Sequence, residues 1–275
     1  MLHCFLRTAV ELFCFLFKRK FMRYVKSCKS KDNPLRCGTI KIGSLHEYRD
    51  IEEEQIVDKQ EGFIELILKL DDIYLKLEEF QEFLNSHNSY ASFETTGYIN
   101  TGGPGDAATG FHHIPGFHAK SNLKKNNLFV FCLSHTDNDE KVIISSDYDD
   151  SWYFEQSHIR DMASGLSKSL AHSIWMNRKS VFPKHDLSPN FEVNACWEKI
   201  RYTPRKIVVD NHIYHTERLK YLDMVKYPQF LKPKEFAEEK EFRICFEIYD
   251  NDTLLHPSVK HIIINSKGIE HLIGK

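Results

Sequence analysis

One stretch restricts the possible folds of this chain more than any other. Phe242, Ile244 and Phe246 alternate with Arg243, Cys245 and Glu247, the period-2 pattern of a strand with one buried face. Glu238, Glu239, Lys240 and Glu241 lead directly into it. Glu239 and Glu241 are two residues apart, so an extended backbone projects both to the same side. No other stretch joins a strand signal to so dense a set of titratable groups.

The other segments decide what sheet this strand enters. Arg23 to Lys26 reads as a short strand, and Asn33-Pro34 as a turn. Ile40 and Ile42 alternate with Lys41 and Gly43 in a glycine-containing strand that runs on to Arg49. Residues 63–70, FIELILKL, read as a strand, and Asp71 to Leu84 as a helix, with apolar residues at 73, 77, 80 and 84. Leu128 to Ser134 is the clearest buried strand. Lys141 to Ser145 is a short one, and Ser151 to Phe154 lies beside an aromatic cluster. Ile159 to Trp175 carries apolar residues at 159, 162, 163, 166, 170 and 174, the spacing of an amphipathic helix. Residues 192–202, 205–209 and 261–265 add strands, and the segments Leu219–Val225 and Pro233–Glu239 read as helical or turn-like. Strands in pairs and runs, with few helices between them, give an α+β fold with a mainly antiparallel sheet and exclude a doubly wound nucleotide-binding fold.

Composition fits one packed domain. The chain has 275 residues, 41% of them hydrophobic and 13% aromatic. Without repeats or a linker, it reads as one domain over residues 22–275, preceded by a 1–21 extension. Residues 1–21 are apolar but interrupted by Arg7 and Glu11. The longest uncharged run, Leu12–Phe17, falls far short of the ~20 residues of a membrane span. An amphipathic helix docked on the domain or a partner is expected there. The net charge is −2, from 37 basic and 39 acidic residues, which gives no overall pull toward nucleic acid. Charge is uneven, however: Lys18 to Lys31 is purely basic, and Glu47 to Glu61 is mainly acidic. Seven dispersed cysteines, none at C-x-x-C spacing, fit reduced thiols in the cytoplasm. Residues 95–122 hold six glycines and two prolines and are expected to lack regular structure, as a functional flap or mobile filler. His112, His113 and His118 lie in that stretch with no acid or cysteine at ligand spacing, so no metal is expected.

Three sets of residues are candidates for chemistry. Glu239, Glu241 and Arg243 could supply a carboxylate that stabilises positive charge or removes a proton; the alternative is a solvated charge run. Tyr24, Arg36, Tyr48 and Arg49 surround the glycine-containing strand. Arginine suits a phosphate and tyrosine a stacked ring, and surface salt bridges to the acidic segment are the alternative. Ser134-His135 lacks a nucleophile elbow and adjacent strand residues face opposite ways, so Ser134 reads as a ligand hydrogen-bonding group and not a hydrolase nucleophile.

Taken in order, Asp58-x-x-Glu61-Gly62, Phe131-Cys132-Leu133-Ser134 and Glu239-Lys240-Glu241-Phe242-Arg243 resemble the D-P-x-E-G, F-C-L-S and E-x-E-[WF]-R elements of a widespread bacterial family of unassigned proteins, the DUF2971 type. The M-W-x-x-Y segment of that family has no counterpart here. The layout is also similar to the ADP-ribosyltransferase plan. That similarity implies a split β-sheet flanked by helices and NAD as co-substrate. It further implies that Glu241 is catalytic, that Tyr24 or Arg49 holds NAD, and that Ser134 supports the nicotinamide ribose. It implies a toxin of anti-phage defence that modifies a macromolecule (nucleic acid such as mRNA, or protein), with an antitoxin and a chaperone as partners. A non-enzymatic nucleic-acid- or partner-binding protein and a metal-dependent nuclease built on Asp58, Lys59 and Glu61 are the alternatives.

Overall fold

The computed structural model describes residues 22–50, 62–76, 78–81, 110–136 and 147–274. The 1–21 extension, the Asp58–Glu61 element and the Lys141–Ser145 strand lie outside them. The fold is mixed α+β, and its main sheet has eight strands among the described residues. Strand β1 is Arg23–Cys28, β2 Thr39–Ser44, β3 Phe63–Lys76 and β4 Phe111–Lys124. Then follow β5 (Phe129–Thr136), β6 (Asp150–Glu155), β7 (Glu192–Lys199), β8 (Arg201–Tyr202), β9 (Lys206–Asp210) and β10 (Leu231–Lys232). The last three are β11 (Glu241–Asp250), β12 (Thr253–Leu255) and β13 (His261–Asn265). The longer helices are α1 (Leu45–Asp50), α2 (Ile159–Met176) and α3 (Asn211–Lys226).

The main sheet forks at β5. One edge of β5 pairs continuously with β11, from Glu241↔Ser134 to Phe246↔Phe129. The other edge is shared. Its exit end pairs with β1 (Val25↔Ser134), and its entry end pairs with β2 (Gly43↔Val130). β6 continues the first branch and β13 the second. Between the branches, Phe131, Cys132 and Leu133 have no strand partner on that edge among the described residues. The Lys26 ammonium donates to the Cys132 carbonyl there (2.9 Å), so a side chain satisfies a backbone group that the ladder leaves open.

Each face of this sheet has its own core. Phe129, Phe131 and Leu133 of β5, with Phe242, Ile244 and Phe246 of β11, face α2, whose Met162, Ala163, Leu166, Leu170 and Ile174 are buried. Burying each of these Phe, Leu, Ile and Met side chains contributes about 1.5–3 kcal/mol. Gly165 lets α2 approach the C-terminal segment, since a Cβ there would overlap the Ile269 side chain. The opposite face gathers Val130, Cys132, Cys245, Leu45, Ile200 and Phe230. A third cluster joins the β4-β3-β9 sheet to α3 through Leu66, Leu70, Phe117, Val209 and Tyr214.

Two expectations fail in this smaller sheet. Residues 71–76 are not helical: Ile73 and Leu75 continue the inward alternation of β3. Residues 111–122 are not irregular: they form β4, paired with β3 along its length. Pro115 is tolerated because β4 is an outer strand among the described residues and the ladder breaks opposite it, where Asp72 takes a left-handed φ of 50°. β3 also supplies the acids missing from the sequence neighbourhood of the histidines: Asp71 meets His118 (2.6 Å) and Asp72 meets His113 (2.7 Å). Among the described residues, no three His, Cys, Asp or Glu side chains converge on a metal position, and no helix is long and apolar enough to cross a membrane.

Candidate functional site

A cavity of about 420 Å³ occupies the fork between β1 and β2, within the range of small-molecule sites. β1 contributes Val25 to Cys28, β2 contributes Thr39, Lys41 and Gly43, and β5 contributes Phe131 to Ser134. The loop and strand that precede and begin β11 bring Glu239, Glu241 and Arg243. Five cations (Lys26, Lys29, Lys41, Lys232, Arg243) and four acids (Asp32, Glu47, Glu239, Glu241) line it.

Alternation along β11 puts the buried Glu241 and Arg243 on one pleat face. Arg243 Nε donates to Glu241 Oε1 (2.5 Å), and Nη2 donates to Oε2 (3.1 Å). Lys232 Nζ donates to Glu241 Oε2 (3.1 Å) and to Glu239 Oε2 (2.5 Å). The Glu241 amide donates to the Tyr202 hydroxyl (2.8 Å), and Arg243 Nη1 donates to the Gln229 carbonyl (2.8 Å). Burial alone would push the Glu241 carboxyl up. The Arg243 guanidinium and the Lys232 ammonium reverse this and hold it well below the ordinary carboxylate range.

Glu239 behaves in the opposite way. Burial and the neighbouring Glu241 charge, opposed by Lys232, raise its carboxyl from 4.5 to about 7. The pair therefore combines a fixed anion with a carboxyl that exchanges a proton near neutrality, a separation that suits an electrostatic stabiliser beside a general base. Burial, then the Glu241 charge, pushes the Cys132 thiol up to about 12, so it keeps its proton.

Ser134 is 1% exposed, lines the cavity, and is the Cα partner of Glu241 across β5 and β11. Its Oγ is buried without a hydrogen-bond partner among the described residues. A buried hydroxyl in that state costs free energy that a ligand atom can recover.

The expected site residues divide. Glu241, Ser134 and Tyr48 line one cavity. Arg36 is flanked by two lining residues, Pro34 and Cys37, but its guanidinium turns to Asp150 (3.5 Å). Tyr24 is not in the cavity: it is 3% exposed and stacks on Phe242 at 3.9 Å, on the α2 side of the sheet. Arg49 is not there either; it donates to the Lys125 carbonyl (2.9 Å) and lies over the Phe63 ring. The main residue absent from the sequence reading is Lys232. It sits nine positions before Glu241, and no local pattern marks it. Compared with protein-family models, curated proteins and solved structures, the chain has no match.

Proposed function

We propose that the forked cavity binds NAD and that the protein transfers the ADP-ribosyl group to a macromolecular acceptor, RNA or protein, as a toxin of anti-phage defence. The observation that carries this reading is the pairing of an ionised, buried Glu241 with the unpartnered Ser134 hydroxyl in one cavity. In such a transfer the glycosidic bond to nicotinamide breaks and its electron pair leaves with the ring. Positive charge develops on the ribose, and Glu241 stabilises it. The Ser134 hydroxyl donates to or accepts from the ribose. The acceptor's nucleophilic atom bonds to the ribose carbon and gives its proton to Glu239, whose carboxyl sits near neutrality. Among the described residues, the one-charge excess of cations over acids around the cavity favours a ligand bearing phosphates.

One observation favours a second reading, a non-catalytic anion-binding module. Both Glu241 oxygens already accept hydrogen bonds from Arg243 and Lys232, which makes the carboxylate a clamp for the two cations. Calorimetric titration with NAD, coupled to detection of released nicotinamide, separates the two. Binding with release that drops roughly 100-fold in Glu241→Gln supports the transferase. Binding with no release in wild type supports the module, and no binding removes the transferase.

A further inference from the structure

Cys245 and Cys196 face each other across the β11–β7 ladder as direct Cα partners. Antiparallel partners have Cα atoms about 4.5 or 5.5 Å apart, inside the range a disulfide spans. The two thiols differ in setting. Cys245 is fully buried, whereas Cys196 is half-buried on β7, whose only strand partner among the described residues is β11. We propose that Cys196 and Cys245 are a reversible modification site, a dithiol that a small-molecule disulfide such as oxidised glutathione converts into a cross-strand disulfide.

Cys196 is the attacking sulfur. The hydrogen bond from the Cys245 thiol lowers it first, burial and then the Glu247 charge work against this, and the Lys125 ammonium lowers it, for a net lowering. Cys245 keeps its proton, mainly because it is buried. The Cys196 thiolate attacks one sulfur of the oxidant, whose S–S bond breaks and releases one glutathione thiolate, which takes up a proton. Cys245 then loses its proton, and its sulfur displaces the second glutathione from Cys196. Two cysteine thiols are oxidised and one glutathione disulfide is reduced to two thiols. The third thiol on this face, Cys132, is held as a thiol beside Tyr48 and Glu241 and does not compete. The new bond would tie β7 to β11 two residues from Arg243, on the pleat face that carries Glu241.

The test uses the folded, reduced full chain. It is incubated with oxidised glutathione, quenched in acid, alkylated and digested without reductant, and its cross-links are mapped by mass spectrometry. The expected product is an intramolecular Cys196–Cys245 link that dithiothreitol reverses and Cys196→Ser removes. Three outcomes overturn the proposal: glutathione retained on Cys196 with no link to Cys245; a different pairing; or adducts only at the exposed Cys37 with both thiols of the pair still free. Cys245→Ala is the second control. If it does not fold, the half-buried Cys196→Ser variant still decides the result.

Discussion

Replacing Glu239 with glutamine should make the protein more stable at neutral pH, relative to wild type, than at acid pH. The folded carboxyl titrates at about 7 against an ordinary 4.5, because burial and the Glu241 charge outweigh the attraction of Lys232. The sign follows from proton linkage. Below pH 4.5 the group is protonated in both the folded and the unfolded chain. Between 4.5 and 7 the unfolded chain releases its proton and the folded one retains it. Stability therefore falls as pH rises through this window and levels off above it. A displacement of that size is worth roughly 3 kcal/mol, and the side chain is only 14% exposed, so solvent screens little of it. Urea unfolding of both proteins from about pH 4.5 to about pH 8 gives the difference directly, since groups titrating alike in both cancel. The glutamine variant should gain up to roughly 3 kcal/mol over wild type across the window. A difference that stays constant, or that moves the other way, would refute the electrostatics assigned to the Glu239–Lys232–Glu241 cluster.

Other predictions follow from single contacts. Ser134→Ala should leave thermal stability unchanged or raised by up to about 1 kcal/mol, because its hydroxyl has no partner among the described residues; the same change should weaken NAD binding by calorimetry. Glu241→Gln should lower stability by about 3–5 kcal/mol in urea unfolding, because it removes the buried anion that Arg243 and Lys232 share and leaves Lys232 to Glu239. Gly165→Ala should destabilise by melting temperature although alanine is favoured over glycine in helices by about 1 kcal/mol, because its Cβ would overlap Ile269.

The sequence declared the strands that bury a full alternating face. Phe242, Ile244 and Phe246, and the Phe129–Thr136 run, appear where their period places them, as does α2. β4 was hidden because Pro115 and Gly116 carry loop chemistry, and an outer strand accommodates them where its ladder with β3 is interrupted at Asp72. β3 was cut short because residues 73, 77, 80 and 84 also fit a helical period. In the site, Glu241 and Arg243 were legible as same-face neighbours two residues apart. The side to which Tyr24 turns was not legible, because it depends on how β1 pairs with β5: Val25 is the partner of Ser134 and Tyr24 of His135, which turns Tyr24 into the core. Lys232 was invisible because its contact with Glu241 depends on how β10 packs, which no local pattern encodes.

The central claim is tested most directly by incubating the purified protein with NAD labelled in its adenylate part and a cell lysate, then treating separate samples with nuclease and protease. The account predicts label on macromolecules that one of the two treatments releases, and its loss with Glu241→Gln folded to the same extent. No macromolecular label with wild type, or equal label with the variant, would contradict it.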